Sequence, residues 1–280
     1  KAQLPGARSS FSSGGTVAGA AVWHPQGALI FEGSNAGGTT RLFLVTPGTQ
    51  AASELIGSGL IKGDLSWPTV SPDGSKVMFV SDISGSGDIH VWDRGSNTVN
   101  RTLTSPFSEM APSYNANGSK VAYSRKNRGG EDMFVIEGTN SRPWVGGNGD
   151  QSRPRWVGDS IIFFSNERGD DQWDIAISHK VGSKSVLAKD IRLPLRAAPA
   201  LSPDKQWIVY GVSDPTQSHK IFLTKVDGSK TIRINTGLIA AGEPQLADVG
   251  GQMMLSFTCL PKAGADWRQL HVMNITNQMP

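Results

Sequence analysis

Short apolar runs and polar turns alternate along the whole chain at a spacing too close for helices. Apolar stretches read Ala28–Phe31, Val121–Tyr123, Ile161–Phe164, Trp207–Tyr210 and Met253–Leu255. Each is followed by a second run, at Leu42–Val45, Met133–Ile136, Asp174–Ile177, Ile221–Thr224 and Leu270–Met273. Runs of three to five residues bounded by Gly, Asn, Asp and Ser clusters predict β-strands joined by hairpins. Their near-continuous apolarity suits strands covered on both faces.

One stretch shows the whole unit. Val77–Ser81 is a strand after the Asp73-Gly74 turn, 82–87 is a Gly-rich hairpin loop, and Asp88–Asp93 is an alternating strand. Residues 94–97 turn again and Thr98–Thr104 is a last strand. With the strand entering Pro72 the unit holds four strands.

The unit recurs. A phrase clearest as Pro68–Gly74 (PTVSPDG) returns near Ala21, Pro112, Pro154, Pro199 and Pro244, at intervals of 42 to 47 residues. Six copies of a four-stranded unit predict an all-β fold, a six-bladed β-propeller in a single domain over residues 1–280. Few residues follow the sixth third-strand, and Lys1–Pro5 lies upstream of the first copy. The N-terminal strand is therefore expected to close the ring as the outer strand of the last blade, hiding an edge. Pro5 suits such an edge.

The phrase Ser71–Val77, then Val80–Asp82, a Gly-rich loop and Asp88–Asp93, resembles the TolB-type propeller repeat, a WD-like repeat with a Ser-Pro-Asp-Gly turn. The match is close in copies two and three, partial in one and five, and degenerate at the turn in four and six. The resemblance implies the propeller fold. It leaves function open between three kinds of relative: a periplasmic protein that binds a lipoprotein, the propeller domains of prolyl-oligopeptidase-type peptidases, and pectin-degrading lyases that hold a metal with a histidine cluster.

Composition narrows the partners. The 280 residues carry 27 basic and 24 acidic side chains, a net charge of +3. No basic run marks a nucleic-acid arm, so nucleic acid is not expected as a partner. The nearest, Arg125 to Arg128, reads as a solvated hairpin tip. No stretch nears the ~18 apolar residues of a membrane helix. The chain begins at Lys1 without Met, as it would after removal of a targeting segment, so a periplasmic or secreted location is expected. Cys259, the one cysteine, sits in an apolar run and reads as a buried inert thiol.

Most chemical candidates dissolve into the repeat. Asp82, Asp88, Asp132, Asp170, Asp171 and Asp174 recur around the third strands, as carboxylates bonding their own turns do. Trp23 and Trp156 share the apolar slot of the phrase and are expected to pack between blades. The five histidines (His24, His90, His179, His219 and His271) show no metal-ligand spacing. No nucleophile elbow and no phosphate loop occurs. Neither a metal nor a cofactor is expected.

What the repeat does not require is a set of charges ahead of each Pro. The links to the inner strands carry Asp64, Glu109, Arg153, Arg196 and Glu243, and Trp67 directly precedes Pro68. These six are the expected ligand-binding residues, a mixed-charge rim at the channel mouth. Mixed signs suit a peptide segment or a carboxylated sugar. The expected function is a non-enzymatic binding module of an envelope or secreted protein, with a protein or peptide partner. The alternatives are a lyase-like or glycan-binding propeller, and a propeller domain of a larger protein.

Overall fold

The computed structural model describes residues 9–11, 19, 21–34, 38–49, 51–103, 105–169, 172–191, 193, 198–213, 219–265 and 267–279. Strand β1 (Ser9–Phe11) comes first. Blade 1 is β2 (Val22–Trp23), β3 (Leu29–Ser34), β4 (Thr40–Val45) and β5 (Ser53–Glu54). Blade 2 is β6 (Leu65–Val70), β7 (Lys76–Ser81), β8 (Asp88–Asp93) and β9 (Thr98–Arg101). Blade 3 is β10 (Ser108–Tyr114), β11 (Lys120–Asn127), β12 (Gly130–Glu137) and β13 (Asn140–Val145). Blade 4 is β14 (Gln151–Val157), β15 (Ser160–Ser165), β16 (Trp173–Ser178) and β17 (Ser185–Ile191). Blade 5 is β18 (Ala200–Leu201), β19 (Trp207–Ser213), β20 (His219–Lys225) and β21 (Thr231–Ile234). Blade 6 is β22 (Ile239–Val249), β23 (Gln252–Leu260) and β24 (Gln269–Asn274).

Every blade is a four-stranded antiparallel sheet in simple meander order, and six of them make the fold a six-bladed β-propeller. Blade 6 takes its fourth strand from the N-terminus: β1 pairs with β24, Ser9 opposite Val272 and Phe11 opposite Leu270. The closing strand is thus at Ser9–Phe11, while Lys1–Pro5, where the sequence suggested it, lies outside the described residues.

The chain divides into two compact units, one of Lys1–Leu55 with Pro194–Pro280 and one of Ile56–Leu193. The first holds blades 1, 5 and 6. Its cores gather Val209, Leu223, Leu255, Phe257 and Cys259 in one cluster, and Leu29, Phe31, Leu270 and Val272 in another. Cys259 is buried, as expected. The second unit holds blades 2, 3 and 4. Met78, Ile89, Tyr123 and Phe134 fill the space between blades 2 and 3, and Ala122, Val135, Ile161 and Phe163 that between blades 3 and 4. Trp156 packs on the latter cluster, edge-on to Trp144 at 5.7 Å, and Trp23 packs in the first unit.

The repeated turn explains itself. In blade 2 the Asp73 carboxylate accepts from Ser71 Oγ at 2.6 Å, Ser75 N at 3.0 Å and Ser75 Oγ at 2.8 Å. Gly74 takes φ 74°, a left-handed position where a side chain would cost energy. These donors pull the Asp73 pKa down to about 2. Asn115 and Asn117 make the equivalent turn in blade 3. In blade 1, His24 Nδ1 accepts from Gln26 N at 3.2 Å, so this histidine serves the turn.

Candidate functional site

Four inner strands share a break in register. It falls between Ser66 and Thr69, Met110 and Ser113, Ser152 and Arg155, and Gly242 and Gln245. At each break the residue before Pro is left-handed: Trp67 at φ 53°, Ala111 at 50°, Arg153 at 56° and Glu243 at 54°. Proline has no N–H to contribute, so it tolerates the missing ladder bond, and the bulge re-aims the residue ahead of it. Non-glycine residues held this way cost about 1–3 kcal/mol each, and such strain concentrates where a side chain is put to use.

The bulge sorts the expected site residues. Asp64 stands four residues ahead of its Pro, Glu109 three, and Trp67, Arg153 and Glu243 one. Offset alone does not set exposure, since Arg153 and Glu243 share it and one is half-buried while the other is buried. Asp64 is exposed. Its N–H donates to Asp82 Oδ1 at 2.8 Å. A Cβ on Gly63, at φ 81°, would come within 2.6 Å of that oxygen, so the link is held tightly against the hairpin.

Trp67 is half-buried, its indole resting on the core between blades 2 and 3. The Arg153 guanidinium lies over that ring, 5.5 Å from its centroid. Trp67 belongs to blade 2 and Arg153 to blade 4. Ala111 fills the same slot in blade 3 with only a methyl group, so no longer side chain from that slot competes for the space. Backbone N–H of Arg153 donates to Ser124 Oγ at 3.4 Å.

Glu109 has no exposed surface. Ser105 Oγ donates to its Oε1, and its Oε2 has no hydrogen-bond partner among the described residues. Burial, with the Asp88 charge added, pushes its pKa up; Ser105, Arg125 and Arg101 only partly offset this. Asp88 is itself buried, bonded by Ser84 Oγ and paired with Arg101 at 2.6 Å. Gly87 lets the blade 2 hairpin approach, since a Cβ there would meet Ser108 Oγ at 2.8 Å and Glu109 O at 2.9 Å.

Within the other unit, Glu243 is buried and accepts from Thr258 Oγ1 at 2.7 Å, and Arg268 donates to Thr258 Oγ1 at 2.8 Å and to Ala240 O at 2.6 Å. Arg196 lies outside the described residues. The structure therefore brings Trp67 and Arg153 together at the link end of blades 2–4, with Asp64 on the exposed surface of the same unit.

Two residues of this region were not foreseen. Glu131 accepts from Ser152 Oγ at 2.7 Å. Burial pushes its pKa up, against the pull of Ser124, Ser152 and Arg153. Arg125 does not sit in a solvated tip: β11 runs on through Asn127, and its guanidinium lies 3.7 Å from the Phe134 ring centroid and 5.3 Å from that of Phe107. Arginine stacks where lysine would seek water, and the aromatic residues on either side are the signal that could have placed it.

Among the described residues, no three His, Cys, Asp or Glu side chains gather to hold a metal ion. His90 stacks on Phe79 at 5.9 Å, His271 on Phe257 at 5.7 Å, and His179 bonds Ser160 at 2.7 Å. The His219 side chain is outside what the structure describes. No helix among the described residues is long and apolar enough to cross a membrane.

No family model matches the chain. Among solved structures it is similar to TolB from Acinetobacter baumannii, with 17% identity and a TM-score of 0.70 over 84% of this chain and 58% of that one. A putative TolB from Agrobacterium tumefaciens matches at 17% identity and a TM-score of 0.62, covering 77% and 79%. Oligogalacturonate lyase from Vibrio parahaemolyticus matches at 7% identity and a TM-score of 0.58, covering 99% of each chain. At these identities the likeness is one of fold, a TolB-type propeller. The chain spans 58% of the length of the Acinetobacter protein it matches.

Proposed function

We propose that the chain is a non-enzymatic propeller module of an envelope or secreted protein. In this reading it binds a protein or peptide segment at the link end of blades 2–4. The observation that carries the reading is the Trp67–Arg153 pair, a half-buried indole under a guanidinium, both held on strained backbone. Tryptophan and arginine are the residues most often responsible for binding energy at protein interfaces. Set in place beforehand, they lose little freedom when a partner arrives. Asp64 adds an exposed carboxylate for a basic group on the partner. The TolB likeness supports a propeller module. The lyase likeness names the competing activity, so the test includes it.

The parent protein, Trp67→Ala and Arg153→Glu are immobilised in parallel against envelope and secreted fractions, and captured proteins are identified by mass spectrometry. One predominant partner should be held by the parent. Either variant should lose it about tenfold or more, equivalent to the ~1.4 kcal/mol expected of an interface anchor. Thermal melting confirms that the variants stay folded. Equal capture by parent and variants overturns the reading. So does release of an unsaturated product, followed by ultraviolet absorbance, from oligogalacturonate with a divalent metal ion supplied.

A further inference from the structure

Successive turns of an antiparallel sheet fall at opposite ends. In blades 2 and 3 the links and hairpins that carry Trp67, Glu109 and Asp88 lie at one end. The repeated turns at residues 71–75 and 115–119 lie at the other. Between the two blades a cavity of about 500 Å³ runs from that turn end toward the link, where Thr102 follows β9. A volume of this order suits a small-molecule ligand.

The cavity has an apolar floor of Met78, Val91, Val121 and Ile136. Set into the wall are hydroxyls that the fold does not use. Thr102 Oγ1 is buried and has no hydrogen-bond partner among the described residues. A valine would fill the same volume without that cost, so the hydroxyl calls for an explanation. Tyr114 lines the same space, and its hydroxyl also makes no hydrogen bond among the described residues. Burial and the nearby Asp73 charge push its pKa up to about 12, so it keeps its proton and can donate.

The rim completes the set. Asp73 Oδ1 accepts twice and Oδ2 once within the turn, which leaves Oδ2 one acceptor site of the roughly four a carboxylate offers. Asn117 spends its Oδ1 on Ser119 and keeps its amide donors. Lys76 balances Asp73 in charge, so the rim favours no net charge in a ligand.

We propose that this cavity is a binding site for a neutral saccharide of one or two rings. Each sugar hydroxyl can donate and accept, which matches Thr102, Tyr114, Asn117 and Asp73 together. The C–H face of the ring meets the aliphatic floor. The cavity opens on different residues from the proposed peptide site, and the two share the core between blades 2 and 3.

Titration calorimetry and saturation-transfer NMR on the full chain test it with glucose, N-acetylglucosamine and maltose. Digalacturonate and trialanine serve as charged and peptide probes. At least one neutral sugar should bind. Thr102→Val and Tyr114→Phe should each weaken it about fivefold, the loss expected of one hydrogen bond. Thr102→Val should melt no lower than the parent. The proposal is overturned if no neutral sugar binds, if only digalacturonate or trialanine binds, or if both hydroxyl variants bind like the parent. A rise in melting temperature for Thr102→Val with no sugar bound by the parent would mean that the hydroxyl serves only water.

Discussion

The two ends of blades 2 and 3 use the same chemical group in opposite ways. At the turn end Asp73 is exposed, surrounded by donors, and held at a pKa of about 2. At the link end Glu109 has no exposed surface, has one donor, and is pushed above the usual carboxylate range by burial. The turn is repeated because it satisfies its own polar atoms and so works in any blade. The link differs in each blade, and there buried charge and left-handed backbone persist. Within one unit, then, repetition marks scaffold, and departure from repetition marks where specific side chains are set.

The sharpest way to break this comparison is to remove a link-end carboxylate that the fold depends on. Asp88→Ala gives up the charged hydrogen bonds from Ser84 and Arg101 and should cost about 2 kcal/mol, because the Arg101 left behind is partly exposed and reaches water. Asp73→Ala should cost much less. Urea denaturation of both variants checks this, and equal losses would erase the distinction.

A second test uses pH. The folded-state pKa of Glu109 lies above its ordinary 4.5, so between those values the folded chain holds more protons than the unfolded one. The stability it contributes is fully present below about 4.5 and is lost as pH rises through the folded value. Glu109→Gln should match the parent near pH 4.5 and exceed it in stability toward pH 8. For Asp73 the sign reverses: its contribution is present above 3.8 and lost as pH falls toward about 2. Chemical denaturation across this range, with parent and Asp73→Asn alongside, should show the two dependences running in opposite directions.

The smallest effect concerns the bulge. Ala111 sits at φ 50° and buries a single methyl group. Ala111→Gly relieves the strain but gives up the buried methyl, so it should stabilise the protein by no more than about 0.5 kcal/mol, seen as a slightly higher urea midpoint with unchanged slope. No gain would mean that the neighbouring strands supply the conformation without cost.

The spacing of the Pro phrase was enough to predict six blades, because each copy must bury the same strands. Slot logic correctly packed Trp23 and Trp156 against the blade cores, where both are partly buried. The bulge could not be read, since Trp, Ala, Arg and Glu occupy its left-handed position and only the following Pro is common to all four. For the same reason the charges ahead of each Pro looked alike. Glu109 lies inside β10 and is buried, while Asp64 precedes β6 and is exposed, a difference set by where each strand begins. Arg125 was misread because hairpin length is not encoded by composition: β11 and β12 pair as far as Asn127 and Gly130.

The pairing of β1 with β24 also sets a clock. β1 ends at Phe11 and β24 begins at Gln269, so blade 6 cannot gain its fourth strand until the strands of all the blades between them have been translated. At typical rates of synthesis that delay is on the order of tens of seconds. Throughout it the early strand has no partner within its own chain, whereas every other blade can assemble from neighbouring strands as they emerge. A second nascent copy on the same messenger could supply a β24 first. Exchange of β1 between copies is therefore the misassembly this topology invites, and slow, crowded synthesis would favour it.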